Sequence, residues 1–500
     1  MEAKVKIESI EKAVTTMQGR LSMSRFAWCL PVIALLAGCQ LAPEHERPES
    51  PAADTYPASY QPDEGQLAAS DIAWRDFFND PRLQRLIEVA LGANREMRVA
   101  VERIEEARGQ YGIEGASRYP TLDANAEATR GRFPAGAAAG QGGGAPAAGG
   151  SDVVEYYSLG VGVSAFELDF WGRVRNLTEA AQAEYLQTIE AQRAFRLSLI
   201  GDVAATYLSL REAEERIALA MATVDSRRDA LRIAKVRLDA GITSALEWNQ
   251  SQALLTRAET ELADLRLMRA QQRNYLVLLV GGPLEESLPP AVPLANQIAD
   301  ETLAAGLPSA LMYRRPDILA AEASLRAARA NIGVARAAFF PQISLTGNFG
   351  YASTDLNDLI SSGNETWSVG PAITLPLFDF GRNEGRLTVA EARENIAVAQ
   401  YEQAILAAFR EVADALAGRR YLEEQLVAQA ENVATLKRIA DLANDRYDEG
   451  VVNYLQVLDA ERNLFEAEQN YVQIKRAQVQ NLVELYIALG GGTDEPEPPT

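Results

Sequence analysis

Few residues in this 500-residue chain are suited to covalent or metal chemistry: there are two cysteines, Cys29 and Cys39, and one histidine, His45. Both cysteines lie in MSRFAWCLPVIALLAGC (23–39), where Arg25 precedes an apolar run and small residues precede Cys39. That is the layout of an export signal, too short to persist as a membrane-spanning helix. Its last four residues, LAGC, fit the bacterial lipobox, in which the cysteine thiol is acylated and becomes the first residue of the exported chain. Cys29 then leaves with the signal (1–38), and Cys39 carries fatty acyl chains such as palmitate instead of forming a disulfide. Gln40 follows it where an aspartate would favour inner-membrane retention, so the expected destination is the outer membrane. Residues 1–22 carry acids unsuited to the start of a signal, and translation is expected to begin at Met17 or Met23. An ordinary signal with a coincidental cysteine is the plainer alternative.

The remaining chemistry is sparse. His45 lies six residues beyond Cys39 in a proline-rich tether (39–70). No glycine-rich phosphate loop, zinc spacing or nucleophile-base pattern occurs elsewhere. No catalytic, cofactor-binding or metal site is expected, and the chain does not read as an enzyme. With 48 basic against 69 acidic residues, a formal charge of −21, it has no basic stripe to neutralise phosphates, which excludes a nucleic-acid partner. The carboxylate with the most pointed setting is Asp459, in YDEGVVNYLQVLD (447–459). A glycine and a short polar break interrupt helix-forming sequence there, and Asp459 stands just past the corner.

The elements that position this corner occur twice. AKVRLDAGITSALEWNQSQALLTRAETEL (234–262) aligns with ANDRYDEGVVNYLQVLDAERNLFEAEQNY (443–471), pairing Arg237, Gly241 and Leu246 with Arg446, Gly450 and Leu455. FELDFWGR (166–173) matches PLFDFGR (376–382), and SRYPTLDANA (117–126) matches AFFPQISLTG (338–347). Each copy runs strand, loop, strand, long helix, corner, long helix. The first copy's extra length is PAGAAAGQGGGAPAAGG (134–150), which cannot build a core.

Alternation marks the strands. Tyr157, Leu159, Val161, Val163 and Ala165 share one face of 156–169; Trp367, Val369, Pro371, Ile373, Leu375 and Leu377 share one of 366–377. Ile343, Leu345, Phe349 and Tyr351 do so in 342–351, and Leu122, Ala124, Ala126 and Ala128 more weakly in the first strand. Segments of about ten residues, apolar on one face, with aromatics such as Tyr156 and Phe380 near their ends, suit a membrane β-barrel. Four strands do not close a barrel and open edges are intolerable in lipid, so a membrane-inserted sheet demands an oligomer.

The proline-free stretches 175–239 and 385–448 each read as one long helix, or two stacked end to end, spanning about 100 Å. After the second corner, Leu458, Phe465, Val472, Val479 and Tyr486 keep a strict heptad, while Leu455, Arg462, Gln469, Arg476 and Val483 are largely polar. One apolar and one polar seam suits a helix in a hollow wall, wetted on one face.

From Cys39 to Gly492 the chain closely resembles the TolC-like outer-membrane factors, specifically their lipidated OprM/NodT-type branch. The marks are WRDFFNDPRLQRLIEVAL (74–91), RRPDI (314–318), AARANIGVARAAFFPQISL (327–345), the two corners and YIALGGG (486–492). The resemblance implies an α+β membrane protein: a homotrimer whose twelve strands, four per chain, form one barrel continued by a long α-helical periplasmic barrel with a mixed equatorial domain. The boundaries then read 71–282 for the first repeat, 283–320 for an equatorial connector, 321–490 for the second repeat and 491–500 for the tail.

The implied function is an outer-membrane exit duct passing small molecules such as drugs. Its partners would be a periplasmic adaptor, a proton-driven inner-membrane transporter, and outer-membrane lipid through acylated Cys39. Gly241, Ile242, Thr243 and Ser244, with Gly450, Val451, Val452 and Asn453, match hairpin tips that meet the adaptor. Asp459 matches a constricting carboxylate, with Leu455 and Arg462 around it and Tyr447 at an interhelix bonding position. A ring of three aspartates would attract cations; without the resemblance Asp459 reads as a solvated helix residue. A second acidic position of some members is Gln456 here and a latching arginine is Val452, so Arg462 or Arg446 is the expected latch partner. The alternatives are a lipid-anchored coiled-coil scaffold or adaptor without a channel, and a protein-secretion duct of the same fold.

Overall fold

The computed structural model describes residues 40–53, 55–56, 67–68, 72–132, 153–285, 287–298, 303–304 and 308–492. The signal, Cys39, the 134–150 loop and most of the C-terminal tail lie outside them. In chain order the elements are β1 (Leu67–Ala68), α1 (Trp74–Phe77), α2 (Pro81–Ala93), α3 (Arg95–Ala116), β2 (Leu122–Arg132), β3 (Val153–Glu167), α4 (Arg173–Asp239) and α5 (Ala245–Val280). Then come β4 (Leu303–Ala304), α6 (Pro308–Arg314), α7 (Pro316–Ala337), β5 (Gln342–Ser353), β6 (Glu365–Thr374), α8 (Arg382–Asp448) and α9 (Tyr454–Ala488). The long helices are unbroken: α4 and α8 have 67 residues each. Among the described residues no helix is long and apolar enough to cross a membrane.

The chain forms two compact units, and each copy of the repeat contributes to both. One unit holds the sheet, with 108–183, 326–395 and the N-terminal residues up to Glu46. Its strands are antiparallel in the order β2-β3-β5-β6. Register gathers the expected apolar series onto a common face: Ala124 lies beside Val161, Val161 beside Phe349, and Phe349 beside Trp367. That face is bare, with Phe349, Val369 and Trp367 exposed at 52%, 65% and 75%. The other face is small and polar, with rows such as Asp123–Gly162–Asn348–Ser368. A bulge between Val163 and Phe166 bends β3, with Ala165 at φ 51 and its N–H donating to Thr346 Oγ1 at 3.2 Å. Gly350 permits the close crossing of β3 and β5, since a Cβ there would come within 2.3 Å of the Leu159 carbonyl.

The fourth strand is shorter than its alternation predicts. β6 continues through Pro371, paired with Leu345, because an edge strand tolerates a missing donor. It stops at Thr374, before Pro376, leaving Leu375 and Leu377 beyond the ladder. The duplicated D-F motif that follows is a helix cap: Asp379 accepts from Asn383 N at 2.9 Å, and Asp169 accepts from Arg175 N at 2.8 Å. In this unit the tether lies along α7, where Arg336 donates to the Leu41 carbonyl and Arg326 to His45 Nε2.

The other unit packs α1 and α2 against the long helices. Tyr486 stacks on Phe77 at 4.2 Å and donates its hydroxyl to the Ile72 carbonyl. Ile200, Val203, Tyr207 and Leu210, the three-four series read from α4, are buried there. Asp80, fully buried, accepts from Arg82 N, Tyr207 Oη, Gln297 Nε2 and Val292 N at 2.7–3.2 Å. It ties the WRDFFNDPRL segment and the connector to α4. The helix ends meet in pairs: Asn94 Nδ2 donates to the Leu279 carbonyl at the end of α5, and Arg315 Nη1 to the Ala488 carbonyl at the end of α9. Each satisfies a carbonyl that a helix terminus leaves open.

On α9 the apolar heptad is buried throughout, Leu458 to Tyr486. The companion series is less wetted than its polarity predicts. Gln469 is buried and accepts from Arg216 Nε at 2.7 Å, while Arg476 reaches the buried Glu212 at 2.9 Å. These side chains pair across to α4, so their partners replace water; of this series only Leu455, at the corner, is exposed.

Removing the Asp80 carboxylate orphans several buried donors, each costing about 1–3 kcal/mol. Asp80→Ala is expected to lower the thermal unfolding midpoint of the detergent-solubilised protein far more than Tyr207→Phe, which leaves the other donors paired.

Candidate functional site

Both corners reverse the chain by the same hydrogen bonds. Gly241 (φ 73) and Gly450 (φ 75) take the left-handed conformation, which costs a side-chain-bearing residue about 1–2 kcal/mol. Gly241 N donates to Leu238 O and Ile242 N to Arg237 O; Gly450 N donates to Tyr447 O and Val451 N to Arg446 O, all at 2.9 Å. This is the Schellman closure, repeated at equivalent positions. The next helix starts differently in the two copies. Ser244 Oγ accepts from Glu247 N while Thr243 donates to the Glu247 carboxylate. Asn453 offers only its carbonyl, to Gln456 N at 3.2 Å. The S-x-x-E at 244–247 is a capping signal legible in the sequence and missed in the reading above.

Of the eight tip residues, Thr243 and Val452 are half-buried and the others exposed. Ile242 and Val451, equivalent in the repeat, stand 68% and 62% exposed. Leu246, the counterpart of Leu455 at the end of the 240–246 corner, is also bare.

The four residues assigned to a constriction do not form one cluster. Leu455 and Asp459 are exposed, and Asp459 pairs with Arg462 on its own helix at 3.2 Å. Such a half-exposed pair contributes about 0–1 kcal/mol. Tyr447 turns the other way, packing on Tyr454 with ring centroids 4.9 Å apart while the Arg237 guanidinium lies over its ring at 5.3 Å. Arg237 ends α4 and Tyr447 ends α8, so this cation–π contact joins the two hairpins. Of the two arginines expected as latch partners, Arg462 holds Asp459; Arg446 supplies its carbonyl to the cap. Arg237, which the repeat pairs with Arg446, is the arginine that lies on Tyr447.

Behind the corner lies a drier layer. Arg227, 3% exposed, donates to the Leu254 carbonyl at 2.9 Å and sits over the Phe465 ring at 5.3 Å. Burial pulls its guanidinium below the usual range, opposed by Glu461. Burial likewise pushes the Glu461 carboxyl up, opposed by Arg227 and a hydrogen bond with Asn444. The Tyr454 phenol is pushed up to about 12, chiefly by burial, then by Glu461, with Arg237 opposing. No group of His, Cys, Asp and Glu among the described residues could hold a metal ion.

The chain matches the model of the family described as outer membrane efflux protein over residues 86–282 and 307–491. It is 41% identical over 469 residues to the solvent efflux pump outer membrane protein SrpC of Pseudomonas putida, covering 93% of this chain and 98% of SrpC. It is also 41% identical to outer membrane protein OprJ of Pseudomonas aeruginosa, over 93% of this chain and 95% of OprJ. Among solved structures, the open state of the Neisseria gonorrhoeae MtrE outer membrane channel superposes with a TM-score of 0.83 at 37% identity, over 91% of this chain and 99% of MtrE.

Because the Tyr454 phenol is raised from 10 to about 12, its neutral form stabilises the folded corner fully below pH 10, and that contribution is lost as pH rises through 12. A difference absorbance titration against Tyr454→Phe should show this late ionisation. Glu461→Gln should move it to lower pH.

Proposed function

The chain belongs to the outer membrane efflux protein family, and from that membership we propose that three copies form the outer-membrane exit duct of an efflux pump. The observation that carries the reading is the sheet: four strands, one face bare and apolar, and edges at β2 and β6 left unpaired among the described residues. Setting β6 of one copy against β2 of the next gives a closed twelve-stranded barrel, with the Phe349–Trp367 face toward lipid and the Asp123–Ser368 face toward water. A scaffold without a barrel gives those exposed aromatics no role.

The remaining roles follow from the residues. Acylated Cys39 would fix the N-terminus to the outer membrane, and α7 would hold the strap behind it through Arg326, Arg329 and Arg336. The bare apolar tips, Ile242 and Leu246 with Val451, would meet a periplasmic adaptor coupled to an inner-membrane transporter. Three Asp459 carboxylates with three Leu455 side chains would narrow the duct at its corner, and Arg237 on Tyr447 would hold the two hairpins together in the narrow state. The duct conducts passively; its partners select small molecules for export.

In planar bilayers the wild-type protein should give small, flickering single-channel currents. Asp459→Ala with Leu455→Ala should make them several times larger, and Arg237→Ala should lengthen the openings. Large, stable wild-type channels indifferent to all three changes would remove the gate; absence of channels from a folded oligomer would remove the duct.

A further inference from the structure

The duplicated chain displays the parts of one joint twice and assembles that joint once within itself. α7 and the turn into β5 repeat α3 and the turn into β2. ARANIGVARAAFFP (328–341) matches ARGQYGIEGASRYP (107–120), which pairs Arg329, Gly333 and Pro341 with Arg108, Gly112 and Pro120. Tyr119 is therefore the counterpart of Phe340. FWGR (170–173) matches FGR (380–382) across one insertion. Trp171 and Phe380 each precede a left-handed glycine, Gly172 (φ 72) and Gly381 (φ 83).

The first joint fastens the start of α4 to the turn before β5. Trp171 stacks on Phe340 with ring centroids 4.6 Å apart and donates Nε1 to the Pro341 carbonyl at 2.8 Å. Gly333 lets α7 approach α4 closely, since a Cβ there would lie 2.3 Å from Asn176 Nδ2. β3 and β5 pair along the same seam, so ladder and aromatic stack reinforce each other.

The start of α8 carries the same ring without its platform. Phe380 stands 96% exposed, met edge-on by Phe378 at 5.9 Å. Its own backbone is left-handed (φ 55), which costs a side-chain-bearing residue about 1–2 kcal/mol. Asp379 holds it there, accepting from Gly381 N at 3.1 Å and Asn383 N at 2.9 Å. At the opposite edge of the sheet the platform waits without its ring: Tyr119 is 73% exposed, and a Cβ on Gly112 would meet nothing within 4 Å.

The strand order brings these halves together. Within the chain α4 follows β3 and α7 precedes its neighbour β5; where β6 meets the next copy's β2, α8 follows one strand and α3 precedes the other. Val163 lies beside Gly347, and the repeat carries this register to Ile373 beside the next copy's Ala126. Ile373 and Ala126 both belong to the apolar face. A slip of one residue would set them on opposite faces, so the register agrees with the alternation.

We propose that Phe380 of each copy stacks on Tyr119 of the next, an aromatic clasp that locks each β6–β2 seam where strands pass into helices. The clasp rests on the trimeric reading and deepens it, naming the side chains that join the copies. It is the weaker of the two joints, because phenylalanine has no N–H for the Pro120 carbonyl as Trp171 has for that of Pro341.

Full-length Tyr119→Cys and Phe380→Cys chains with different tags, co-expressed and treated in membranes with a short thiol-to-thiol crosslinker, test it. A dimer bearing both tags is expected on denaturing gels, and none from either chain alone. A Trp171→Cys/Phe340→Cys chain, crosslinked within itself, gives the reference yield. Oligomers that assemble without the mixed dimer, while the internal pair crosslinks, overturn the clasp and keep the duct. A Phe380→Cys thiol that reacts only with a bilayer-soluble maleimide places the ring in lipid and also overturns the clasp. A wild-type chain that forms no oligomer overturns both. In detergent, Tyr119→Ala and Phe380→Ala should each speed trimer dissociation about fivefold, the double variant no faster than either, with Tyr119→Phe near wild type. Additive effects of the two alanines contradict a stack between them.

Discussion

The structure depends on a sheet that cannot stand alone. Four antiparallel strands leave a row of backbone donors and acceptors open along β2 and another along β6. Their apolar residues gather on one face and stay uncovered. In water that face is an aggregation surface, and in lipid those edges each cost several kcal/mol per unsatisfied group. Closure with other copies pairs the edges, and lipid then covers the apolar face. The bulge at Ala165 and the glycine crossing at Gly350 bend and tighten the sheet as closure requires.

The helical unit obeys a second constraint, that helix ends leave open hydrogen-bonding groups. Duplication supplies the answers in pairs. Asp169 and Asp379 cap the starts of α4 and α8; Gly241 and Gly450 close their ends; Asn94 and Arg315 receive the ends of α5 and α9. The copies diverge in how the helix after each corner is capped. Ser244 and Glu247 cap the helix after the first corner with side chains, while Asn453 gives the helix after the second no side-chain cap. The corner bearing Asp459 is thus the more loosely capped of the two.

Much of this was legible in the sequence because it is periodic or local. Alternation from Tyr157 to Val163 put the apolar face of β3 in place, and the heptad from Leu458 to Tyr486 named the buried seam of α9. The polar seam misled, since whether Gln469 and Arg476 are wet depends on Arg216 and Glu212, more than 250 positions away. Arg237 was hidden for the same reason: its partner ring belongs to the other copy of the repeat. Asp80 could be seen as a helix cap before Pro81, but its hold on Tyr207 and Gln297 is tertiary.

Closure of the sheet by copies of the chain is the central claim, and native mass spectrometry of the detergent-solubilised full-length protein tests it most directly. The account predicts one species of three chains that falls apart only when β-structure is lost. A monomer that keeps its strands and stays soluble without detergent would contradict it.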